Sequence, residues 1–298
     1  MILEVGVVKV SGEQAKSFLH ALVSSDLEQL AKGKSQTSLL LEPSGKLVSA
    51  FWIFCIDDTN YLLVCPLDTK ESLLEGLKRL LIRTNAEVVD ISSDYLAIVD
   101  LIKPQTDREI VVDNNYMGNA EFALSLKLGG DLKEKVSDPK LHETLRISSG
   151  AVSVKDLQGG VIPQEANLDI ESVSFSKGCF LGQELVCRID SRQSSTPFSF
   201  YEFRSEQKLP KIEGELELYI DDEFAGKASS FIDDTEQIDE ALTNYKGDVK
   251  AIFRLQRKFV QFLENDQFDG RLELLDSAKP ATRIKVSGYS KVSGVFSL

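Results

Sequence analysis

The residues best equipped for chemistry form one contiguous string, Lys177-Gly178-Cys179-Phe180-Leu181-Gly182-Gln183-Glu184, in which a cation and a thiol flank one glycine and a second glycine follows. Beyond it Leu185, Val186 and Ile189 recur on one face at helical spacing, so a helix should open near Gly182, with Cys179 just ahead of it. The unpaired N–H groups and positive dipole end of such a helix favour a thiolate. Lys177, two residues upstream, adds a positive charge. Cys179 is therefore a candidate for thiolate exchange or transient covalent attachment, tuned by Lys177. Gly178, Gly182, Gln183 and Glu184 would shape and hold the loop. The same string also fits a plainer reading, a buried loop cysteine beside glycines needed only for tight turns.

A second polar concentration precedes it, Gly159-Gly160-Val161-Ile162-Pro163-Gln164-Glu165-Ala166-Asn167-Leu168, a loop with two glycines and a proline. Glu165 could accept a pair of N–H bonds from an aminopyrimidine ring, because a carboxylate matches two parallel donors. Read alone, it equally fits a capping or solvated residue.

Elements that could position these groups alternate along the first two-thirds of the chain. A strand-like opening leads through Ser11-Gly12-Glu13 into a helix with Ala15, Phe18, Leu19 and Leu22 inward and His20 off the stripe. Leu39 to Leu41, Leu47 to Ile56 and Tyr61 to Cys65 read as a meander of strands, separated by Glu42-Pro43-Ser44-Gly45 and by an acidic turn. Pairing across that turn sets Cys65 opposite Trp52, which argues against a Cys55–Cys65 disulfide. Asp68 is placed to cap a leucine-striped helix. Further strands are expected at Glu87–Asp90, Tyr95–Val99, Glu109–Val112 and Glu121–Leu128. A helix then opens at Asp138-Pro139, with Leu141 and Leu145 inward and His142 on the surface.

Composition changes near residue 195. Residues 195–298 alternate short strands, including Val260–Leu263, with turns, as in a small barrel or sandwich. Asp233–Glu240 reads as an acidic solvated loop and helix start. We expect an α+β protein with a domain boundary near residue 195.

The 298 residues carry 34 Lys and Arg against 47 Asp and Glu, a formal charge of −13. Such a surface repels phosphate, which argues against direct nucleic-acid binding and against an anionic membrane. No run of about 18 apolar residues occurs, and the start of the chain has no cationic leader, so a cytoplasmic location is expected. Four scattered cysteines and two histidines offer no zinc-ligand spacing.

The octapeptide resembles the K-G-C-[FY]-x-G-Q-E signature of the folate-binding YgfZ family, relatives of the aminomethyltransferase T-protein of the glycine cleavage system. Similarity continues strongly through Arg146–Gly150 and Ile162–Glu165 with Asn167-Leu168, and more loosely through Ser11–Ala15, Ser25-Asp26, Pro43–Gly45, Leu81–Thr84 with Ala86–Val88, and Gly226–Ser230. The resemblance implies three lobes in a cloverleaf around a central channel that binds tetrahydrofolate or a derivative: residues 1–194 as two interleaved α/β lobes forming the folate-binding region, and residues 195–298 as a C-terminal β-barrel domain. It puts Glu165 in the place of the pterin-binding glutamate, with Asn167 beside it, and the cysteine loop near the channel mouth. Arg188 and Arg192 could hold the carboxylates of the folate tail, or they could pair with surface acids.

Two departures matter. Where the T-protein carries paired aspartates in a G-G-x-x-D-D strand, this chain has Gly45-Lys46-Leu47-Val48-Ser49-Ala50, which offers no carboxylate for aminomethyl transfer. An arginine-glycine and basic stretch usual after the octapeptide is replaced by Gln193-Ser194-Ser195-Thr196-Pro197-Phe198. The resemblance therefore implies a folate-binding accessory protein in iron-sulfur cluster assembly or repair and, through it, tRNA modification. Iron-sulfur proteins or assembly factors would be its partners, and the alternative is a folate-dependent one-carbon transferase.

Overall fold

A computed structural model describes residues 1–100, 109–113, 115–118, 122–128, 139–205, 207, 212–232, 249–265 and 270–298. The first half holds β1 (Ile2–Leu3), β2 (Val5–Ser11), α1 (Ala15–Leu22), β3 (Ser35–Leu41), β4 (Leu47–Asp57), β5 (Asn60–Pro66), α2 (Lys70–Lys78), β6 (Glu87–Asp90), β7 (Tyr95–Asp100), β8 (Glu109–Asp113) and β9 (Ala123–Leu128). Three helices follow, α3 (Pro139–Ser148), α4 (Asp169–Ser172) and α5 (Gln183–Arg192). The remainder is β10 (Phe198–Ser205), β11 (Leu216–Ile220), β12 (Glu223–Ile232), β13 (Val249–Gln256), α6 (Arg257–Leu263), β14 (Leu272–Asp276), β15 (Lys279–Lys285) and β16 (Gly288–Lys291).

These strands make three antiparallel sheets, ordered β3-β4-β5-β2-β6, β1-β7-β9-β8 and β15-β14-β11-β12-β13-β10-β16. β4 is apolar on both faces, and the two-residue period of a strand divides its side chains between two cores. Phe51, Ile53 and Cys55 join the α1 and α2 side chains Phe18, Leu19, Leu73 and Leu77. Trp52 and Phe54 point into the other core, which they share with Leu124 and Leu126 of the second sheet. In the last sheet Ala251, Phe253 and Leu255 of β13 face a separate core that α6 closes with Phe259, Val260 and Leu263. Ile252 points the other way, into the central core. Register shifts within β11/β12, β12/β13 and β14/β15 mark irregularities of the kind that bend a sheet. The product is a curled sheet, half a barrel, whose edge strands β15 and β16 are not paired to each other among the described residues.

Several expectations change. Val260–Leu263, read as a strand, belongs to α6. Apolar side chains at 259, 260 and 263 are a helical stripe, and a short apolar run cannot be assigned from periodicity alone. Cys65 lies one residue off the expected register, since Trp52 pairs with Val64, and all four cysteines are free thiols. Asp68 sits in a short 3-10 turn and makes no side-chain cap to α2. His142 is buried rather than on the surface, its Nε2 3.1 Å from the Tyr116 hydroxyl. His20 is half-buried, and its Nδ1 accepts the Leu27 N–H. The acidic segment Asp233–Glu240 lies outside the described residues.

One buried network joins the curled sheet to the rest. Arg146, fully buried on α3, uses all five of its N–H donors: two to Glu143, one to the Ala151 carbonyl, one to Asp156 and one to Ser230 of β12. Asp156 in turn accepts the hydroxyls of Ser229 and Ser230. Every charge in this network is matched, as burial requires.

Candidate functional site

The cysteine loop hangs between two anchors. Lys177 reaches back to the end of α1, where its ammonium donates to the carbonyls of His20 (2.6 Å), Val23 (2.7 Å) and Ser25 (3.0 Å). Burial pulls the Lys177 amine down to about 8, yet three carbonyl acceptors match the three N–H donors of the charged form and oppose that pull. Phe180 is the second anchor, buried at 6% exposure, with the Lys177 ammonium 5.4 Å from its ring centre. Between them Gly178 and Cys179 are exposed. Lys177 therefore binds backbone oxygens across the molecule and holds the loop, a different task from the thiol-tuning charge expected of it.

Gly182 is the N-cap of α5 in the left-handed region (φ 78°). A Cβ there would run into the Glu42 carbonyl oxygen and lie 2.8 Å from the Leu41 Cβ. Gly45, at φ 83°, fits under the first turn of the same helix, where a Cβ would come within 2.8 Å of the Leu185 Cβ. The Glu42–Gly45 turn and the octapeptide are thus two pieces of one junction. Gln183 locks it from inside, its Oε1 accepting the Phe180 N–H at 3.2 Å. Glu184 is exposed in the first helical turn, where a carboxylate suits the dipole.

Glu165 lies in a 3-10 turn, Pro163–Ala166, and is 3% exposed. It borders a cavity of about 540 Å³ together with Lys46, Arg188, Phe198 and Arg254. Sequence reasoning missed Arg254, which lies 89 residues away on β13. Its Nε and Nη2 donate to Glu165 Oε2 at 3.0 and 2.6 Å, and its guanidinium stacks 4.3 Å from the Phe198 ring centre. One signal was available. Strand alternation puts Arg254 on the same face as buried Ile252, where a charge needs a partner. Burial pushes the Glu165 carboxyl up, and Arg254 works against that shift.

The other expected residues divide. Arg188 borders the Glu165 cavity and Arg192 does not. Both are exposed, and neither forms an ion pair with another described residue. Asn167 commits its side-chain N–H to the Val292 carbonyl at 3.0 Å and borders an adjacent cavity of about 500 Å³. Cys179 borders neither cavity. Ser49 donates to the Thr69 hydroxyl at 3.0 Å beside a smaller cavity of about 120 Å³, and among the described residues none that lines that cavity is ionisable.

Residues 3–108 match the GCVT N-terminal domain family. The chain is 21% identical over 254 residues to a tRNA-modifying protein YgfZ of Blochmanniella pennsylvanica, covering 73% of this chain and 76% of that protein. It is 25% identical over 229 residues to a mitochondrial iron-sulfur cluster assembly factor IBA57 homolog of Mycosarcoma maydis, covering 66% and 55%. The chain is thus similar to YgfZ-like proteins of the GcvT family. Its mixed α/β fold superposes on the glycine cleavage system aminomethyltransferase T of Bartonella henselae with a TM-score of 0.72 at 15% identity, over 99% of this chain and 83% of that one. For this YgfZ-like chain, that likeness establishes the fold.

Proposed function

We propose that this YgfZ-like chain is a folate-binding accessory protein of iron-sulfur cluster assembly or repair, and through it of tRNA modification, working in the cytoplasm with its Cys179 loop. The observation that carries the folate part is local charge. In a chain of net charge −13, the Glu165 cavity is bordered by Lys46, Arg188 and Arg254 against one carboxylate. Such a pocket draws an anion out of an otherwise repelling field.

The residues fit a folate. Its volume is in the range of small-molecule sites. Glu165 Oε1 has no hydrogen-bond partner among the described residues and can accept from a pterin edge, and Phe198 offers an aromatic face. Arg188, with Arg192 beyond the cavity, is available to tail carboxylates. Tetrahydrofolate, when bound, supplies nitrogens that carry a one-carbon unit. The names of the relatives, a tRNA-modifying protein and an iron-sulfur cluster assembly factor homolog, support the cluster-assembly and tRNA-modification part, with iron-sulfur proteins or assembly factors as partners of the exposed thiol. The three-lobe cloverleaf, with a boundary at 194/195, belongs to the same proposal.

Aminomethyl transfer is the second reading, favoured by the aminomethyltransferase fold and opposed by the uncharged surroundings of Ser49 and Ala50. Calorimetric titration with tetrahydrofolate should give saturable binding that Glu165→Gln weakens about tenfold or more. In a deletion strain the wild type should restore cluster enzymes and Cys179→Ala should not. Absence of heat sinks the folate part, equal rescue removes the thiol, and steady turnover of an aminomethyl donor favours the transferase.

A further inference from the structure

The contact between Arg254 and Glu165 has a chemical form that matters for ligand entry. A guanidinium is a planar carbon bearing three nitrogens. The 2-amino-4-oxopyrimidine edge of a pterin is also a carbon bearing three nitrogens, one exocyclic and two in the ring. Both present adjacent N–H donors to a carboxylate, and both stack on aromatic rings. In this structure the guanidinium does both at once: two nitrogens go to Glu165 Oε2, and its plane lies 4.3 Å from the centre of Phe198.

Resting on the folate reading above, we propose that Arg254 is a self-ligand of the Glu165 cavity. It occupies the carboxylate and the aromatic face that the cyclic guanidine of a pterin uses, so ring and side chain compete and binding requires Arg254 to turn away.

The geometry supports competition over cooperation. Arg254 places both donors on one oxygen, so a ring that takes the two carboxylate oxygens together would have to share Oε2 with two N–H groups already there. The side chain has somewhere to go, being 22% exposed where Glu165 is 3% exposed. Because β13 belongs to the curled sheet and Glu165 to the loop leading to the octapeptide, its release would also break a link between those two parts.

The test is calorimetry at pH 8.5 with 5-formyltetrahydrofolate, an air-stable derivative, and with its 2-deamino analogue. The alkaline pH keeps Glu165 ionised once its cation is removed; the other charged groups bordering the cavity, Lys46 and Arg188, are both positive. Arg254→Ala should bind the folate roughly tenfold more tightly than the wild type, the order expected for removing a charge-assisted competitor. The gain should vanish with the 2-deamino analogue, and millimolar guanidinium should compete with the folate in the variant only.

Equal or weaker binding by Arg254→Ala at this pH overturns the proposal and makes Arg254 a support for Glu165. Binding by neither protein, with both folded, instead removes the folate reading itself. A measurement on the wild type guards against a variant that does not fold. On saturation the Arg254 Nε–H resonance should move from a hydrogen-bonded to a solvent-exposed position, and an unmoved resonance in a saturated sample also overturns the proposal.

Discussion

At the scale of single residues, burial decides what each titratable group contributes. The His142 imidazole is 8% exposed against Tyr116, and burial pulls it down to about 4. The folded chain keeps this ring neutral, whereas the unfolded chain takes up a proton as the pH drops below about 6.5. Stability should therefore be lost as pH falls from about 6.5 towards 4, by on the order of 3 kcal/mol from this residue. Urea unfolding at pH 7 and 4.5 checks this. The loss should be smaller by that order in His142→Gln, while carboxylates away from the ring, such as Asp90, contribute equally to both proteins. The surface position expected of His142 followed from its place off the leucine stripe of α3. Its cover is Tyr116, 26 residues earlier, and no local pattern announces a contact of that range.

At the scale of elements, the octapeptide is legible because its glycines answer to backbone geometry. Gly182 must adopt a left-handed conformation against the Glu42 carbonyl, whereas Gly178 has open space around the position of a Cβ. Gly182→Ala should cost about 2 kcal/mol or more, from left-handed strain together with the clash, and Gly178→Ala only a few tenths. Thermal melts of the two variants check the contrast, and equal losses would contradict the junction described here. The start of α5 and the strand alternation of β4 could be read from periodicity, because each is set within a few residues. The role of Lys177 could not, because its acceptors lie at the end of α1, more than 150 residues earlier. The α6 assignment failed for a related reason. A stripe of three apolar residues becomes a helix only when the core it closes is known.

At the scale of the whole molecule, two charge pairs tie the curled sheet to the α/β part, Arg146–Asp156 with Ser229 and Ser230, and Arg254–Glu165. The first is fully buried. Asp156→Ala would leave the Arg146 guanidinium with Glu143 as its remaining carboxylate and with a buried Nη1 donor unpaired, and should destabilise the chain by about 1–3 kcal/mol. Double replacement with Arg146→Met should recover part of that loss, since it removes the unpaired buried donor, and denaturant midpoints for the single and double variants measure both. The thiol, by contrast, is exposed between the Lys177 and Phe180 anchors and borders neither the Glu165 cavity nor the one beside it. On the proposed function, a molecule lodged against Glu165 would therefore leave the Cys179 sulfur uncovered.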